Sequence, residues 1–306
     1  MFKYTVRRLL SLIPVLLGIS FITFMLLHLT PGDPVSMMFG DNMPTADIER
    51  VREALGLNAP LWQQFLNFLT KAVRGDLGMS FNYNRPVAGL VFQRIGATIE
   101  LSVVALVISY VIAVPVGIIS AVKQNTWIDD LGMIGALIGV SMPDFWLGLM
   151  MILLFAVQLK WLPPFGSGTW KHLVMPSLAL GMSGAALTAR LMRASMLEVI
   201  RQDYIRTARA KGLGERVVIY RHALRNALIP VLTVLGTRLG FLVGGATIIE
   251  TVFARPGVGR LMVDSINRRD YPVVQGVVLV LATSIVIANI LVDISYTLVD
   301  PRIKFE

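Results

Sequence analysis

The sequence predicts an all-α polytopic membrane protein with six transmembrane helices. Three observations predict this class: 55% of the 306 residues are hydrophobic, only 15% are charged, and the uncharged stretches are long. Soluble domains carry roughly 25% charged residues. About 20 consecutive apolar residues are enough for a helix to cross the roughly 30 Å hydrocarbon core of a bilayer.

Six stretches of this kind follow one another along the chain. The third is interrupted by Pro143-Asp144, and the fifth carries one charged residue, Arg238. We predict membrane-spanning helices at residues 9–29, 101–122, 131–159, 173–189, 228–249 and 271–292.

The first stretch resembles a signal peptide in that Lys3, Arg7 and Arg8 precede it. Its 21 uncharged residues are longer than the 7–15 of a signal-peptide core, and no small-residue cleavage site follows. The stretch ends instead in Pro31-Gly32-Asp33-Pro34. We therefore expect a retained first helix.

The distribution of basic residues predicts that both termini are cytoplasmic. With six spans, this orientation puts 15 Lys and Arg residues inside and 12 outside. Long loops cross the membrane with little regard to charge. When the long 30–97 segment is left out, 15 Lys and Arg residues lie inside and 6 outside.

This orientation divides the chain into three parts. Residues 1–29 form the N-terminus and first helix, residues 30–97 an extracytoplasmic segment, and residues 98–306 a five-helix core with a cytoplasmic loop at 193–225. Helical patterns at 46–55 and 61–73, with Gly75, Gly78 and Pro86 as breakers, predict that the extracytoplasmic segment is folded.

Composition also excludes several functions. The chain has no cysteine, and its three histidines, at 28, 172 and 222, lack metal-ligand spacing. The net charge of +9 reflects the basic cytoplasmic loops of membrane proteins, so nucleic acid is not an expected partner. No phosphate-binding loop with Gly-Lys-[Ser/Thr] occurs, so we expect neither ATP hydrolysis nor any other catalysis by this chain.

The loop before the fifth span is the most informative hydrophilic stretch. It predicts two short helices around Gly212-Leu213-Gly214, the first with an apolar face of Met196, Ile200, Tyr204 and Ala208 at i+4 spacing. A basic amphipathic helix on a cytoplasmic loop either lies on anionic lipid or docks a soluble partner. Gly212 either ends a helix or permits close approach of a partner, and the two roles are compatible.

The loop residues Arg206-Thr-Ala-Arg-Ala-Lys-Gly212 and Arg221-His-Ala-Leu-Arg-Asn-Ala-Leu-Ile-Pro230 resemble the cytoplasmic loop of ATP-binding-cassette (ABC) importer permeases. The resemblance is to the peptide/nickel branch, which carries dipeptides, oligopeptides, glutathione or nickel. It covers nearly the whole chain, because further matching motifs are Pro31-Gly-Asp-Pro34, Glu250-Thr-Val-Phe253, Pro256-Gly-Val-Gly-Arg260 and Arg269-Asp-Tyr-Pro272.

The loop departs from the general importer signature in ways typical of the peptide branch. Arg206 replaces its glutamate and Thr207 its first alanine, whereas Ala208, Gly212 and Leu224 match. His222 stands in place of isoleucine, and Arg225 in place of proline. These departures put in doubt any contact that needs the signature's glutamate.

The resemblance implies the fold, the partners, a coupling role for the loop and a location in the inner membrane of a bacterium. The fold would be that of a type I importer permease. Its partners would be a second homologous permease, two cytoplasmic ATPase subunits that bind ATP and Mg²⁺, an extracytoplasmic substrate-binding protein and membrane lipid. The chain itself would hold no cofactor or metal. The residues that contact the ATPase would be Tyr204, Thr207, Ala208, Gly212, His222 and Leu224.

Ionisable residues in or near the spans are candidates for the translocation pathway. Asp144 either lines it or caps a helix that restarts after Pro143, and Arg238, the deepest cation, is expected to line it. Glu100 and Asp293 lie at span ends, where we expect simple solvation. Small residues on the fifth span suit contact with a second permease, at Gly236, Gly240, Gly244 and Gly245.

The function expected from these residues and the resemblance is a permease subunit of an ATP-driven importer for dipeptides, oligopeptides or glutathione. A nickel-chelate importer of the same family is the alternative. A proton-coupled secondary transporter is an alternative of another class, disfavoured because membrane carboxylates are few and the basic loop would then have no evident purpose.

Overall fold

The computed structural model describes the backbone of residues 2–29, 35, 45–54 and 56–299. Side chains are described for residues 13–29, 35, 48–54, 56–234, 244 and 246–290. Across these ranges the chain is helical, and its one β-type pairing is an isolated bridge between Met79 and Pro86. The predicted all-α class is confirmed.

The helices whose bounds the structure describes in the first half of the chain are four single helices and a bent pair. They are α1 (Phe2–Leu29), α2 (Thr45–Ala54), α3 (Leu61–Val73), α4 (Val87–Val122), α5 (Trp127–Ser141) and α6 (Asp144–Met151), which continues as a π-helix, Ile152–Gln158. The two short helices predicted between the first and second spans are present as α2 and α3. Gly75 and Gly78 adopt positive φ angles of 81° and 83° after α3, as expected of breakers.

The predicted third span is two helices rather than one. The axes of α5 and the α6–π-helix segment meet at 101°. Pro143 causes the break, because its ring disfavours helical backbone at the preceding residue, and Met142 adopts ψ 126°.

The second half begins with α7 (Lys171–Ile200), followed by α8 (Asp203–Ala210) and α9 (Glu215–Val217). A π-helical stretch, Val218–Ala223, leads into α10 (Leu224–Val252). The chain continues as α11 (Val258–Asn267) and α12 (Tyr271–Val299). The predicted fourth span ended at residue 189, which is too early, since α7 continues to Ile200 and carries the first residues of the loop.

Three helices in the described ranges are long and apolar enough to cross a membrane: Val87–Val122, Lys171–Ile200 and Tyr271–Ile290. The bent pair adds a fourth span if counted as one. The first and fifth predicted spans lie on α1 and α10, where part of the side chains lies outside the described residues.

Contacts divide the chain into two units. One contains the residues up to Thr98 together with Pro256–Ile290, and the other contains Ile99–Arg255. In the first unit, α3 packs on the end of α1, where Phe65 contacts Phe21 and Phe24 with ring centroids 5.5 and 5.3 Å apart.

The second unit has two large buried clusters, besides a small one of Ala113, Ala185 and Ala189. One joins α4, α6 with its π-helix, α7 and α10 through Leu101, Ala105, Ile152, Met175, Ala179, Leu180, Ala246, Ile249 and Phe253. The other lies beneath the loop and contains Ile118, Ala121, Met192, Met196, Ile205, Ala208, Val218, Ile219, Ala223, Ala227 and Val231. The loop is therefore built on a hydrophobic core, which we call the loop core.

Candidate functional site

The turn after α8 is a Schellman-type helix end. Gly212 N–H donates to Arg209 O at 2.9 Å, and Leu213 N–H donates to Ala208 O at 3.4 Å. Gly212 has φ +78°, a conformation that side chains with a Cβ rarely adopt. A Cβ added there would meet no atom within 4 Å. Gly212 therefore ends α8 and leaves open space above its backbone.

An ion pair bridges this turn. Arg209 donates to both carboxylate oxygens of Glu215, from Nε at 3.1 Å and from Nη2 at 2.7 Å. These hydrogen bonds hold the pKa of Glu215 below its ordinary value and raise the pKa of Arg209. The pair connects the last turn of α8 with the first residue of α9.

The predicted apolar face is buried except at Tyr204, since Met196 and Ala208 lie in the loop core and Ile200 packs against it. Ile205 also lies in the loop core, whereas Tyr204 is 41% exposed and its hydroxyl accepts a hydrogen bond from Asn226 Nδ2 at 2.7 Å. The helix breaks at residues 201–202, so an i+4 series that continues from Ile200 across the break predicts Tyr204 instead of Ile205 as the buried residue.

Ala208 also differs from the expectation of a partner-facing small residue. It is 7% exposed and packs against its own chain, because the side chains of the loop core fill the space beside it. Its small side chain brings α8 close to the loop core. The open backbone surface is at Gly212 instead.

The other predicted loop residues lie around the same core. Thr207 is exposed, and its hydroxyl donates to Asp203 O at 2.9 Å. His222 is half-buried in the π-helical stretch, and Leu224, half-buried at the start of α10, packs against the loop core. The structure thus brings the six predicted residues into one small substructure.

Exposed apolar side chains on the loop were not predicted. Leu213, Val217 and Tyr220 are all exposed although they are large and hydrophobic. Their i, i+4, i+7 spacing was the available signal, but it spans the end of a turn and a π-helical stretch, where simple periodicity is unreliable.

A buried ion pair at the start of α5 was also missed. Arg193 of α7 donates to Asp129 from Nε at 2.6 Å and from Nη2 at 2.5 Å. Asp129 is 2% exposed and also accepts from the backbone N–H of Asn125 at 3.2 Å. The pair ties α7 to the α4–α5 turn about two helical turns before α7 ends at Ile200.

The ionisable residues of the spans have distinct placements. Asp144 is half-buried in the first turn of α6, where the helix dipole favours a carboxylate. Glu100 is exposed to solvent as expected, but its carboxylate also forms an ion pair with the buried Arg255. The side chains of Arg238 and Asp293 lie outside the described residues.

Comparison with known proteins identifies the family. Residues 113–305 match the family described as binding-protein-dependent transport system inner membrane component, and residues 1–102 match the N-terminal part of such membrane components. The chain belongs to this family. Its members are membrane components of transporters, and the chain is accordingly a multi-pass ABC importer permease rather than a catalytic subunit.

Two full-length relatives and one solved structure illustrate the match. The dipeptide transport system permease protein DppB of Alkalihalophilus pseudofirmus is 47% identical, and the glutathione transport system permease protein GsiC of Escherichia coli K12 is 43% identical, each alignment covering both chains completely. An inward-facing structure of the MetNI methionine ABC transporter has a TM-score of 0.59 at 20% identity, covering 69% of this chain and 96% of that one. That likeness supports the fold alone.

Proposed function

We propose that this permease imports dipeptides, oligopeptides or glutathione. The observation that carries the proposal is the identity of 43–47% over the whole chain to permeases named for dipeptide and glutathione transport. These relatives favour peptides over nickel chelates, the alternative within the family.

The proposed assembly contains two permeases. This chain forms half of the translocation pathway and a second homologous permease the other half, surrounded by membrane lipid. An extracytoplasmic binding protein delivers the substrate, and two cytoplasmic ATPase subunits bind ATP and Mg²⁺. Both termini and the loop are on the cytoplasmic side, as supported by the excess of basic residues there.

The loop is the proposed docking element for an ATPase. Its exposed Gly212 turn offers a backbone surface without a side chain, and exposed Leu213, Val217 and Tyr220 lie close to it in sequence. The loop core and the Arg209–Glu215 pair give this surface a defined shape. A nucleotide-dependent movement of the ATPases then shifts the equilibrium between two conformational states of the attached helices.

Uptake into proteoliposomes tests the transport proposal. The complete complex is reconstituted with its ATPases facing the lumen, and ATP is enclosed in the lumen. Uptake of a labelled dipeptide, of glutathione and of nickel is then measured in separate experiments. ATP-driven uptake of a peptide or of glutathione is expected. Uptake driven by a proton gradient without ATP would overturn the importer mechanism, and uptake of nickel alone would overturn the peptide class.

Three substitutions at Gly212 test the docking role. Asn tolerates a positive φ, so Gly212→Asn adds a side chain with little strain, whereas Gly212→Ala adds about 1 kcal/mol or more of backbone strain. Gly212→Glu adds a long charged side chain that this chain has room for. We expect Gly212→Glu to lose ATPase co-purification and uptake, and Gly212→Ala to keep ATPase binding. Equal behaviour of all three variants and the wild type would reduce Gly212 to a helix terminator.

Asp144 and Arg238 remain the proposed pathway residues. Asp144→Asn and Arg238→Gln would then change the concentration dependence of uptake while substrate-independent ATPase activity stays at its wild-type level. An unchanged concentration dependence in both variants would remove them from the pathway.

A further inference from the structure

The α3 helix in the 30–97 segment has an exposed apolar stripe. Trp62, Leu66 and Val73 are 66%, 49% and 89% exposed, and their i, i+4, i+11 spacing puts them on one side of the helix. No residue of α3 is buried, so the helix presents large apolar side chains that the described part of the chain leaves exposed. Such a stripe is normally covered by lipid or by protein.

The neighbouring face of α3 is fixed against α1. Phe65 packs on Phe21 and Phe24, and Gln64 Oε1 lies 3.2 Å from His28 Nε2. Gln64 Nε2 also donates to Leu57 O and Ala59 O, at 3.0 and 2.8 Å, which holds the start of α3 in place.

The contact with α1 sets the depth of α3 in the membrane. Phe21 precedes the last residue of α1, Leu29, by eight positions, which corresponds to about 12 Å along a helix. Amphipathic interfacial helices bury their apolar faces roughly 5–10 Å into the boundary between headgroups and acyl chains. A helix that touches α1 at Phe21 and Phe24 therefore reaches this boundary.

The same level of α1 is itself apolar and exposed. Phe21, Ile22 and Leu26 are exposed on α1, so the stripe of α3 continues the apolar surface of a membrane helix. A tryptophan is typical of the membrane–water interface. The exposed Lys71 and Arg74 lie on the polar side of α3, where lysine and arginine contact anionic headgroups.

We propose that α3 is an interfacial helix whose Trp62, Leu66 and Val73 insert into the bilayer leaflet at the Leu29 end of α1. Its occupant is lipid, because the stripe is continuous with the exposed flank of α1 and the adjoining cations match anionic headgroups. The proposal rests on the membrane location of α1 and not on the substrate, so a wrong substrate class leaves it unaffected.

The absence of cysteine from this chain makes a direct test practical. Single cysteines at Leu66 and Val73 carry a nitroxide label, and Asn67→Cys on the polar side of α3 is the matched control. The labelled permease is assembled with cysteine-free partner subunits in nanodiscs containing phosphatidylglycerol. Only variants that retain ATP-driven uptake are measured, and the two stripe positions provide independent tests.

Collision of the label with oxygen, which partitions into lipid, is compared with collision with a water-soluble nickel chelate. The expected oxygen-to-nickel accessibility ratio is severalfold higher at Leu66 and Val73 than at Asn67. A ratio at Leu66 and Val73 equal to that at Asn67 would show that the stripe faces water and overturn the proposal. Low accessibility to both reagents would show that the second permease or the binding protein covers the stripe, which also overturns it.

Discussion

The Ser80 hydroxyl donates a hydrogen bond of 2.5 Å to the carboxylate of Asp270, a residue 190 positions further along the chain. The same carboxylate accepts from the backbone N–H groups of Phe81 and Asn82, both at 3.1 Å. Ser80 in turn accepts from the N–H of Tyr83 at 2.9 Å. Asp270 is fully buried and sits in the Arg269-Asp-Tyr-Pro272 motif, so the motif's acidic residue holds the turn that precedes α4.

Asp270→Asn is expected to lower the thermal stability of the permease. The amide has one acceptor oxygen, and its NH₂ group would face a backbone donor, so at least one buried donor loses its partner at a cost of about 1–3 kcal/mol. Melting of the detergent-solubilised complex measures the effect. Asp264→Asn is the control, because Asp264 pairs with Arg260 only at 3.8 Å and is 38% exposed. Equal melting temperatures of the two variants would contradict the assigned role.

Asp129→Asn is expected to destabilise the second unit strongly. Removing one partner of a buried ion pair costs about 3–5 kcal/mol, and the 25% exposure of Arg193 places the expected loss at the lower end. The neighbouring Asp130 is exposed, so Asp130→Asn is a matched control. Expression level and melting temperature are the measurements. A melting temperature of Asp129→Asn as high as that of Asp130→Asn would be inconsistent with a structural ion pair.

Gly181→Ala is expected to separate α7 from α4. An added Cβ would lie 2.6 Å from the carbonyl oxygen of Ala105, and a backbone atom cannot move aside as a flexible side chain can. At Gly135, an added Cβ would meet nothing within 4 Å, so Gly135→Ala controls for the change in helix propensity. We expect a lower melting temperature only for Gly181→Ala. No difference between the two would mean that α4 and α7 approach less closely than described.

Because the Arg209–Glu215 pair bridges the Gly212 turn, we expect the loop to become more mobile at acidic pH. Because Arg209 lowers the folded-state pKa of Glu215, the pair's contribution is present above the unfolded pKa near 4.5 and is lost as the pH falls through the folded value. Both side chains are more than one third exposed, so the contribution is below about 1 kcal/mol. A nitroxide at Lys211→Cys should stay equally mobile from neutral pH down to about 5 and become more mobile below that. With Glu215→Gln, mobility should be higher at neutral pH and independent of acidification. Identical profiles of the two forms would exclude the pair as the cause.

Features that depend on neighbouring residues were predicted well. The breakers Gly75 and Gly78, the helices α2 and α3, and the turn at Gly212 follow from backbone preferences that act within a few residues. The break at Pro143 also follows from local sterics, although the 101° bend depends on how the two halves pack.

A pattern extended across a break was wrong at one position. The i+4 series assumed one continuous helix; Met196, Ile200 and Ala208 do face the loop core, but after the two-residue interruption Ile205 rather than Tyr204 is buried on α8. The end of α7 was missed for a related reason. Hydropathy marks where charge begins, whereas a helix with enough tertiary support continues past that point.

The sequence by itself determined the class of the protein and its membrane helices, because the length and apolarity of a span are set by bilayer thickness and need no knowledge of packing. Its motifs also indicated the importer family, which the comparisons confirmed. Only the tertiary structure decided which polar and charged side chains are paired. Asp129 with Arg193, Glu100 with Arg255, and Ser80 with Asp270 are separated by 64, 155 and 190 positions. Such partners meet only when particular helix faces pack together, and the energetic cost of burying an unpaired charge then keeps them together.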